Sequence, residues 1–272
     1  MRKKYDISFT KAVASGNDFV IIDNKNGALD DRKFDYSEIA RDLCRRNLAI
    51  GADGILVLES SKKADFRMRV INPDGSEAEM CGNGARCSAL YAAVNGWGKD
   101  LSFETGAGIL RAEVNADKVK IRMSDPKNIK LGITIGLGKS LVNAHHVNSG
   151  VPHTVLIVED IENYPVEETG RKVRQHPIFA PDGTNVNFIG NVTKTGAAIR
   201  TYERGVEDET LACGTGTVAS AVVLGLLGYV EPPVVMHTKS GEDLTVYFRK
   251  AGEKVTDVYL EGTADIVYEG RI

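Results

Sequence analysis

Apolar and polar positions alternate with a period of two along most of the chain. Short alternating or β-branched runs at Tyr5–Phe9, Phe19–Asp23, Ile55–Glu59, Phe66–Ile71, Leu101–Glu104 and Ile109–Val114 predict strands. The pattern continues through Val119–Met123, Val155–Val158, Asn185–Ile189, Ala198–Tyr202, Leu244–Phe248 and Val255–Leu260. Turn-forming clusters such as Asn72-Pro73-Asp74-Gly75 and Pro181-Asp182-Gly183 separate the runs. Helical spacing is confined to Ser37–Arg46, Cys81–Asn95 and Cys213–Leu227. Many strands with few helices predict an α+β protein rather than a βαβ winding.

The pattern also repeats. A shift of 132 residues lays Cys81-Gly82-Asn83-Gly84 on Cys213-Gly214-Thr215-Gly216, Ser88-Ala89 on Ser220-Ala221, and Gly96 on Gly228. Glu77 then falls on Glu209, and with small slippage Ser15-Gly16 falls on Ser149-Gly150. Matches in one order along the chain predict two similar, pseudo-symmetric domains, each a strand-rich shell around one Cys-headed helix. The boundary is expected near Ser124–Asn128, where Ser124-Asp125-Pro126 breaks a strand pattern.

Each half thus places C-G-x-G at a helix start, where backbone N–H groups lack partners and the helix dipole is positive. Glycines allow close approach of a ligand, and the N–H groups suit a carboxylate or phosphate. The same field favours a thiolate and would draw a cysteine below its free pKa of about 8.5. Two such thiols, one on either side of an α-carbon, meet the needs of racemisation: one removes a proton while the other delivers one to the opposite side. Convergent N–H donors would stabilise the charge that develops on the ligand carboxylate. A lone cysteine near a helix start is more often a buried small residue. Two at equivalent positions of a repeat reverse that preference for Cys81 and Cys213, whereas Cys44 and Cys87 lack the context and are expected to pack.

Composition narrows the alternatives. The chain has 272 residues, 42% apolar and 26% charged, as in a globular protein. Its 34 Lys and Arg against 37 Asp and Glu give a net charge of −3, which argues against binding nucleic acid by phosphate neutralisation. The basic opening MRKKYDISF lacks an apolar stretch behind it, and the longest apolar run, around Ala219 to Val230, is too short for a bilayer. A cytoplasmic protein without membrane contact is expected. The four cysteines form no C-x-x-C pair and the five histidines do not gather with them, so reduced thiols and no metal site are expected.

The motifs resemble those of the diaminopimelate epimerase family. The matching segments are Ser15-Gly16-Asn17-Asp18-Phe19, Gly51-Ala52-Asp53-Gly54, Asn72-Pro73-Asp74-Gly75-Ser76-Glu77 and Met80 to Cys87. Pro152-His153, Gly183 to Phe188, Tyr202-Glu203-Arg204-Gly205 and Ala212 to Gly216 follow in family order. The resemblance implies epimerisation of L,L- to meso-diaminopimelate in lysine and peptidoglycan precursor synthesis, with no cofactor, by a homodimer. It implies Cys81 and Cys213 as the catalytic thiols, His153 and Glu203 as residues that tune them, and Tyr268 at a dimer contact. Gly82, Asn83, Gly214 and Thr215 would hold the reacting carboxylate; Asn17, Asn72, Asn185, Glu203 and Arg204 would complete the substrate site. Amides and a guanidinium suit a second zwitterionic head. The implied domains are 1–124 plus 264–272, the last strand returning to the first domain, and 125–263.

Two departures bear on the substrate: many members have Asn where Val151 stands, and some have Gln where Gly54 stands. Related two-cysteine racemases acting on proline or hydroxyproline typically carry His at the position of Asn83, and a relative specialised for histidine is a further alternative. From a different class, Gly214-x-Gly216-x-x-Ala219 would suit a nucleotide phosphate, but the polar stretch Arg204–Ala212 before it does not suit a buried parallel strand. A thiol redox protein would need only a Cys81–Cys213 disulfide.

Overall fold

The computed structural model describes residues 5–29, 34–138 and 140–272. The chain divides into two units, Met1–Ile121 with Gly262–Ile272 and Arg122–Glu261. In the first, β1 (Ser8–Ala14), β2 (Asn17–Asn24), α1 (Tyr36–Leu43), β3 (Gly54–Glu59), β4 (Phe66–Ile71) and β5 (Glu77–Ala78) precede α2 (Gly82–Val94). Strands β6 (Asp100–Thr105), β7 (Gly108–Asn115) and β8 (Lys118–Arg122) follow it. The second unit has β9 (Lys127–Leu137), β10 (Ser140–Asn148), β11 (Pro152–Ile157), α3 (Val166–Arg174), β12 (Asn185–Gly190), β13 (Gly196–Glu203) and β14 (Asp208–Thr210). It continues with α4 (Gly214–Leu226), β15 (Val234–His237), β16 (Asp243–Ala251) and β17 (Lys254–Thr263), and the chain closes on β18 (Asp265–Arg271).

Strand pairing repeats as faithfully as the cysteine motif. In the first unit β1–β2 is antiparallel, β2–β3 parallel, β3–β4 and β4–β5 antiparallel, β4–β6 parallel, and β6–β7 and β7–β8 antiparallel. In the second the same series runs β10–β11, β11–β12, β12–β13, β13–β14, β13–β15, β15–β16 and β16–β17, with the same directions. One position is filled differently: β10 takes β9 as its antiparallel outer neighbour, whereas β1 takes β18 from the far end of the chain. The fold is therefore α+β with two similar units. Its largely antiparallel sheets contain two parallel pairs per unit, bridged by α1 or α3 and by α2 or α4.

Why each long helix is central follows from its residues. α2 is buried without a break from Asn83 to Ala92, and α4 from Gly216 to Gly225. A helix without a polar face has to be covered on all sides. α2 packs on β1, β2, β3, β4, β7 and β18, and α4 on β10, β11, β12, β13, β15 and β16. The shorter helices cover the other face of the sheet. Val20, Ile22, Ile55 and Val57 form a core with Ile39, Ala40 and Leu43 of α1, while the alternate residue Leu56 lies against the start of α2. Strands covered on both faces are apolar throughout, as in the runs Phe19–Ile22 and Ile55–Leu58.

Some elements differ from the sequence expectation. The first strand is Ser8–Ala14 rather than Tyr5–Phe9: Asp6 has φ +52°, which breaks the extended run, and the strand proceeds through Thr10 and Lys11. Both are buried, and the Lys11 ammonium is satisfied there by Asp18 at 2.7 Å and by the Gly51 carbonyl, to which it donates. α3 shows only Val166, Gly170 and Val173 to the core, too few apolar positions to announce a helix. β9 is mostly exposed and carries little alternation.

Candidate active site

Cys81 and Cys213 are both N-cap residues in extended conformation, at φ −140°, ψ 121° and φ −126°, ψ 109°. An extended cap turns the side chain back over the first helical turn, where N–H groups lack backbone partners. Cys81 Sγ accepts from the Gly84 N–H at 3.5 Å, and Cys213 Sγ lies 3.5 Å from Thr215 Oγ1. The glycines of the two C-G-x-G motifs divide the work. A Cβ on Gly82 would meet nothing within 4 Å, and one on Gly214 only Leu260 Cδ2 at 3.0 Å. These first glycines leave the helix start open. A Cβ on Gly84 would lie 2.9 Å from Leu56 Cδ2, and one on Gly216 2.3 Å from Asn187 Oδ1. The second glycines thus let each helix start settle on its sheet.

In the first unit a chain of polar side chains holds the Cys81 end of α2. Asn83 donates to Asn17 Oδ1 at 2.6 Å, and Asn17 donates to Asp53 Oδ2 at 3.0 Å. Arg86, only 1% exposed, donates to Asn83 Oδ1 at 3.0 Å and to Ser15 Oγ. Arg46 bonds both Asp18 and Asp53 at the outer end of this chain. Asn17 and Asn83 therefore come together with Cys81. Asn72 does not join them: its amide donates to Ser76 Oγ at 3.0 Å inside its own turn. Sequence reasoning missed Ser15 and Arg86 as site-building residues, although both stand inside motifs that drew attention for other residues.

In the second unit His153, Thr215 and Cys213 form one connected group, with His153 Nε2 2.9 Å from Thr215 Oγ1. His153 is fully buried, and burial holds its pKa down at about 3, helped by charge on His146 and Arg204. It is a neutral imidazole at any working pH. Ser149, also buried, donates to the Thr215 carbonyl at 2.7 Å. Asn185 ties strand ends together: it donates to the Pro152 carbonyl at 3.1 Å and accepts from the Arg204 N–H at 2.8 Å. The Arg204 guanidinium donates to the Asp182 carbonyl at 3.0 Å. Asn187, absent from the sequence-derived candidates, sits at the centre of this group and is taken up below. Tyr268 joins neither network; it is half-exposed on β18, edge-on to Phe9 at 6.0 Å.

The expectation that the helix terminus lowers the thiol pKa fails for Cys213. Burial pushes this thiol up to about 12, and the Glu203 carboxylate pushes the same way. The Thr215 hydroxyl and the N–H groups of Gly216 and Thr215 pull against them without prevailing. Burial also raises Glu203 above the ordinary carboxylate range. Charge repulsion disfavours the thiolate, so Glu203→Gln is expected to lower the Cys213 pKa and speed its alkylation at pH 9 several-fold. Iodoacetamide labelling with peptide mapping checks this; an unchanged or slower rate would remove Glu203 from the control of Cys213.

Among the described residues no three His, Cys, Asp or Glu side chains gather as a metal site, and no helix is long and apolar enough to cross a membrane.

The two strand-rich units, each wrapped around a helix headed by a thiol, belong to an isomerase of the epimerase class, as the family match and the relatives given below show. The same fold occurs in the Bacillus anthracis phenazine biosynthesis protein of the PhzF family, with TM-score 0.73, 19% identity and 98% of each chain covered. It occurs also in a hydroxyproline epimerase from Agrobacterium vitis bound to trans-4-hydroxy-L-proline, with TM-score 0.70 and 16% identity over 100% of this chain and 94% of that one. The chain belongs to the diaminopimelate epimerase family, whose model matches residues 9–129 and 145–267. Diaminopimelate epimerase of Aquifex aeolicus is 41% identical over 276 residues, 98% of both chains.

Proposed function

We propose that this protein interconverts L,L- and meso-diaminopimelate by a two-base mechanism in which Cys81 and Cys213 exchange a proton each with one α-carbon. The observation that carries the reading is the pair of N-cap thiols at equivalent positions of two like units, in a chain 41% identical to a diaminopimelate epimerase. Cys213 enters the cycle as the thiol, since burial disfavours its charged form. Cys81, which accepts the Gly84 N–H, enters as the thiolate and removes the α-proton. The open helix starts at Gly82 and Gly214 take the carboxylate next to the reacting carbon, and their N–H groups oppose the charge that grows there. Asn17, Asn72, Asn185, Glu203 and Arg204 recognise the rest of the substrate, with Asn185 and Arg204 already fixed to each other through the Arg204 N–H. No cofactor takes part, the enzyme works in the cytoplasm for lysine and peptidoglycan precursor synthesis, and Tyr268 belongs to a homodimer contact.

The test is incubation with L,L-diaminopimelate in deuterated water under reductant, followed by chiral separation and mass spectrometry. The expected result is meso product with one solvent deuteron, while early unreacted substrate stays unlabelled, as two separate bases require. Label entering substrate and product equally would indicate a single base. Neither exchange nor inversion, in folded protein with free thiols, would transfer the chemistry to a different amino acid.

A further inference from the structure

Asn187 lies on β12, fully buried, and is linked to Cys213 through His153 and Thr215. Its carboxamide has only one orientation that satisfies its surroundings. Nδ2 faces the Thr154 carbonyl at 3.4 Å, which can only accept, and His153 Nδ1 at 3.1 Å. Oδ1 faces the Thr201 hydroxyl at 3.0 Å, which donates to it. With nitrogen towards Thr154 and His153, the two amide hydrogens serve those two acceptors, and His153 Nδ1 has to be the unprotonated ring nitrogen. A neutral imidazole then carries its proton on Nε2, 2.9 Å from Thr215 Oγ1, and donates it there. Thr215 accepts from His153 and keeps its own hydroxyl proton for Cys213 Sγ at 3.5 Å. In the other tautomer Nε2 would take that hydroxyl proton, and a Cys213 thiolate would face only an oxygen lone pair.

We propose that Asn187 is a positioning residue that fixes His153 as the Nε2–H tautomer and thereby reserves the Thr215 hydroxyl for the Cys213 thiolate. His153 acts as a donor that orients a hydroxyl and not as a proton acceptor from the thiol. Its burial agrees with this, since a ring held neutral down to a pH of about 3 takes up no proton during turnover. Gly216 belongs to the same device, because a Cβ there would lie 2.3 Å from Asn187 Oδ1 and 3.3 Å from His153 Cε1. The ionisable groups facing the pair are Glu203 on the side of Cys213 and His146 and Arg204 on the side of His153. The consequence for turnover rests on the epimerase reading; the tautomer and the thiol effect do not.

The experiment combines ¹⁵N-histidine NMR with peptide-resolved iodoacetamide labelling of Cys213 at pH 9. In the wild type His153 is expected neutral and protonated on Nε2 from pH 5 to pH 9, and an Nδ1-protonated or titrating ring would overturn the proposal. In Asn187→Asp the carboxylate accepts from Nδ1, so the proton should move to Nδ1 and Cys213 labelling should slow about ten-fold, the weight of one hydrogen bond to a charged group. Thr215→Val adds no charge and should slow Cys213 similarly, whereas Thr215→Ser should restore the wild-type rate. This pair also decides the matter if Asn187→Asp fails to fold. Equal labelling rates in Thr215→Val and Thr215→Ser would overturn the proposal. For epimerisation, Asn187→Asp should lower kcat and leave KM unchanged, and a change confined to KM would count against it. A wild type inactive on diaminopimelate but with the Nε2–H ring and the Thr215 effect intact would reject the substrate and leave Asn187 in its role.

Discussion

Cys81→Ala and Cys213→Ala each lower conversion of L,L- to meso-diaminopimelate at least about 10³-fold, within the range for losing a positioned acid or base. Both proteins stay folded. Cys213 makes no capping bond through its side chain, and the loss of the bond from the Gly84 N–H to Cys81 costs about 1 kcal/mol. The two variants differ in what they retain. One thiol is enough to exchange the α-proton of the epimer that presents its proton to it, but not to invert that centre. Solvent deuterium is therefore expected to enter one epimer in Cys81→Ala and the opposite epimer in Cys213→Ala. The assay is chiral chromatography with mass detection, beside thermal unfolding to show that the fold persists. Normal conversion by either variant would end the two-base reading.

Gly216→Ala is the second large effect expected, and it requires no loss of a chemical group. The added methyl would lie 2.3 Å from Asn187 Oδ1, a fully buried atom that accepts from Thr201. Neither partner can retreat, because β12 is fixed between β11 and β13. The start of α4 has to lift, carrying Cys213 and Thr215 away from His153. Overpacking of this kind costs about 1–3 kcal/mol, and a displaced acid or base costs about 10²-fold in rate. Gly136→Ala serves as the control: it sits on β9 with nothing within 4 Å of the new methyl, and no change is expected. Denaturant unfolding and kcat measured on both variants decide the matter. A fully active, fully stable Gly216→Ala would mean that the contact between α4 and β12 relaxes without consequence.

The fold class was legible because the signals for it are periodic. Runs such as Phe19–Ile22 and Ile55–Leu58 are apolar along their whole length, and the two Cys-headed helices begin where glycine follows the cysteine. Elements whose stability comes from partners far away were not legible. Lys11 looks like an interruption until Asp18 and the Gly51 carbonyl are placed around it, and the nine residues of α3 reach the core at three positions only. The same distinction holds for the site. Cys81, Cys213 and His153 stand in motifs, so their positions could be named. Asn187 and Arg86 act through side chains brought to them by other strands and turns, from Thr154, Thr201 and Ser15. Both stand within the matching motifs, but nothing in the local sequence announces those partners. The direction of the Cys213 shift was hidden for a related reason: a helix start is visible in sequence, but the depth at which the protein buries it is not.

The outer neighbour of β1 comes from the end of the chain, and this orders the birth of the protein. Residues of the second unit are contiguous from Arg122 to Glu261, and its strand partners all become available as that stretch leaves the ribosome. The first unit is made earlier but has to wait, because Ser8 pairs with Arg271 and Lys11 with Tyr268. During synthesis the open side of β1 is an unpaired strand edge, the kind of surface that recruits other chains. Pairing across so much sequence is slow, since the loop must close before any contact rewards it. The half made first is therefore finished last, and the edge of β1 gains its outer partner only once residues 265–271 are free to pair.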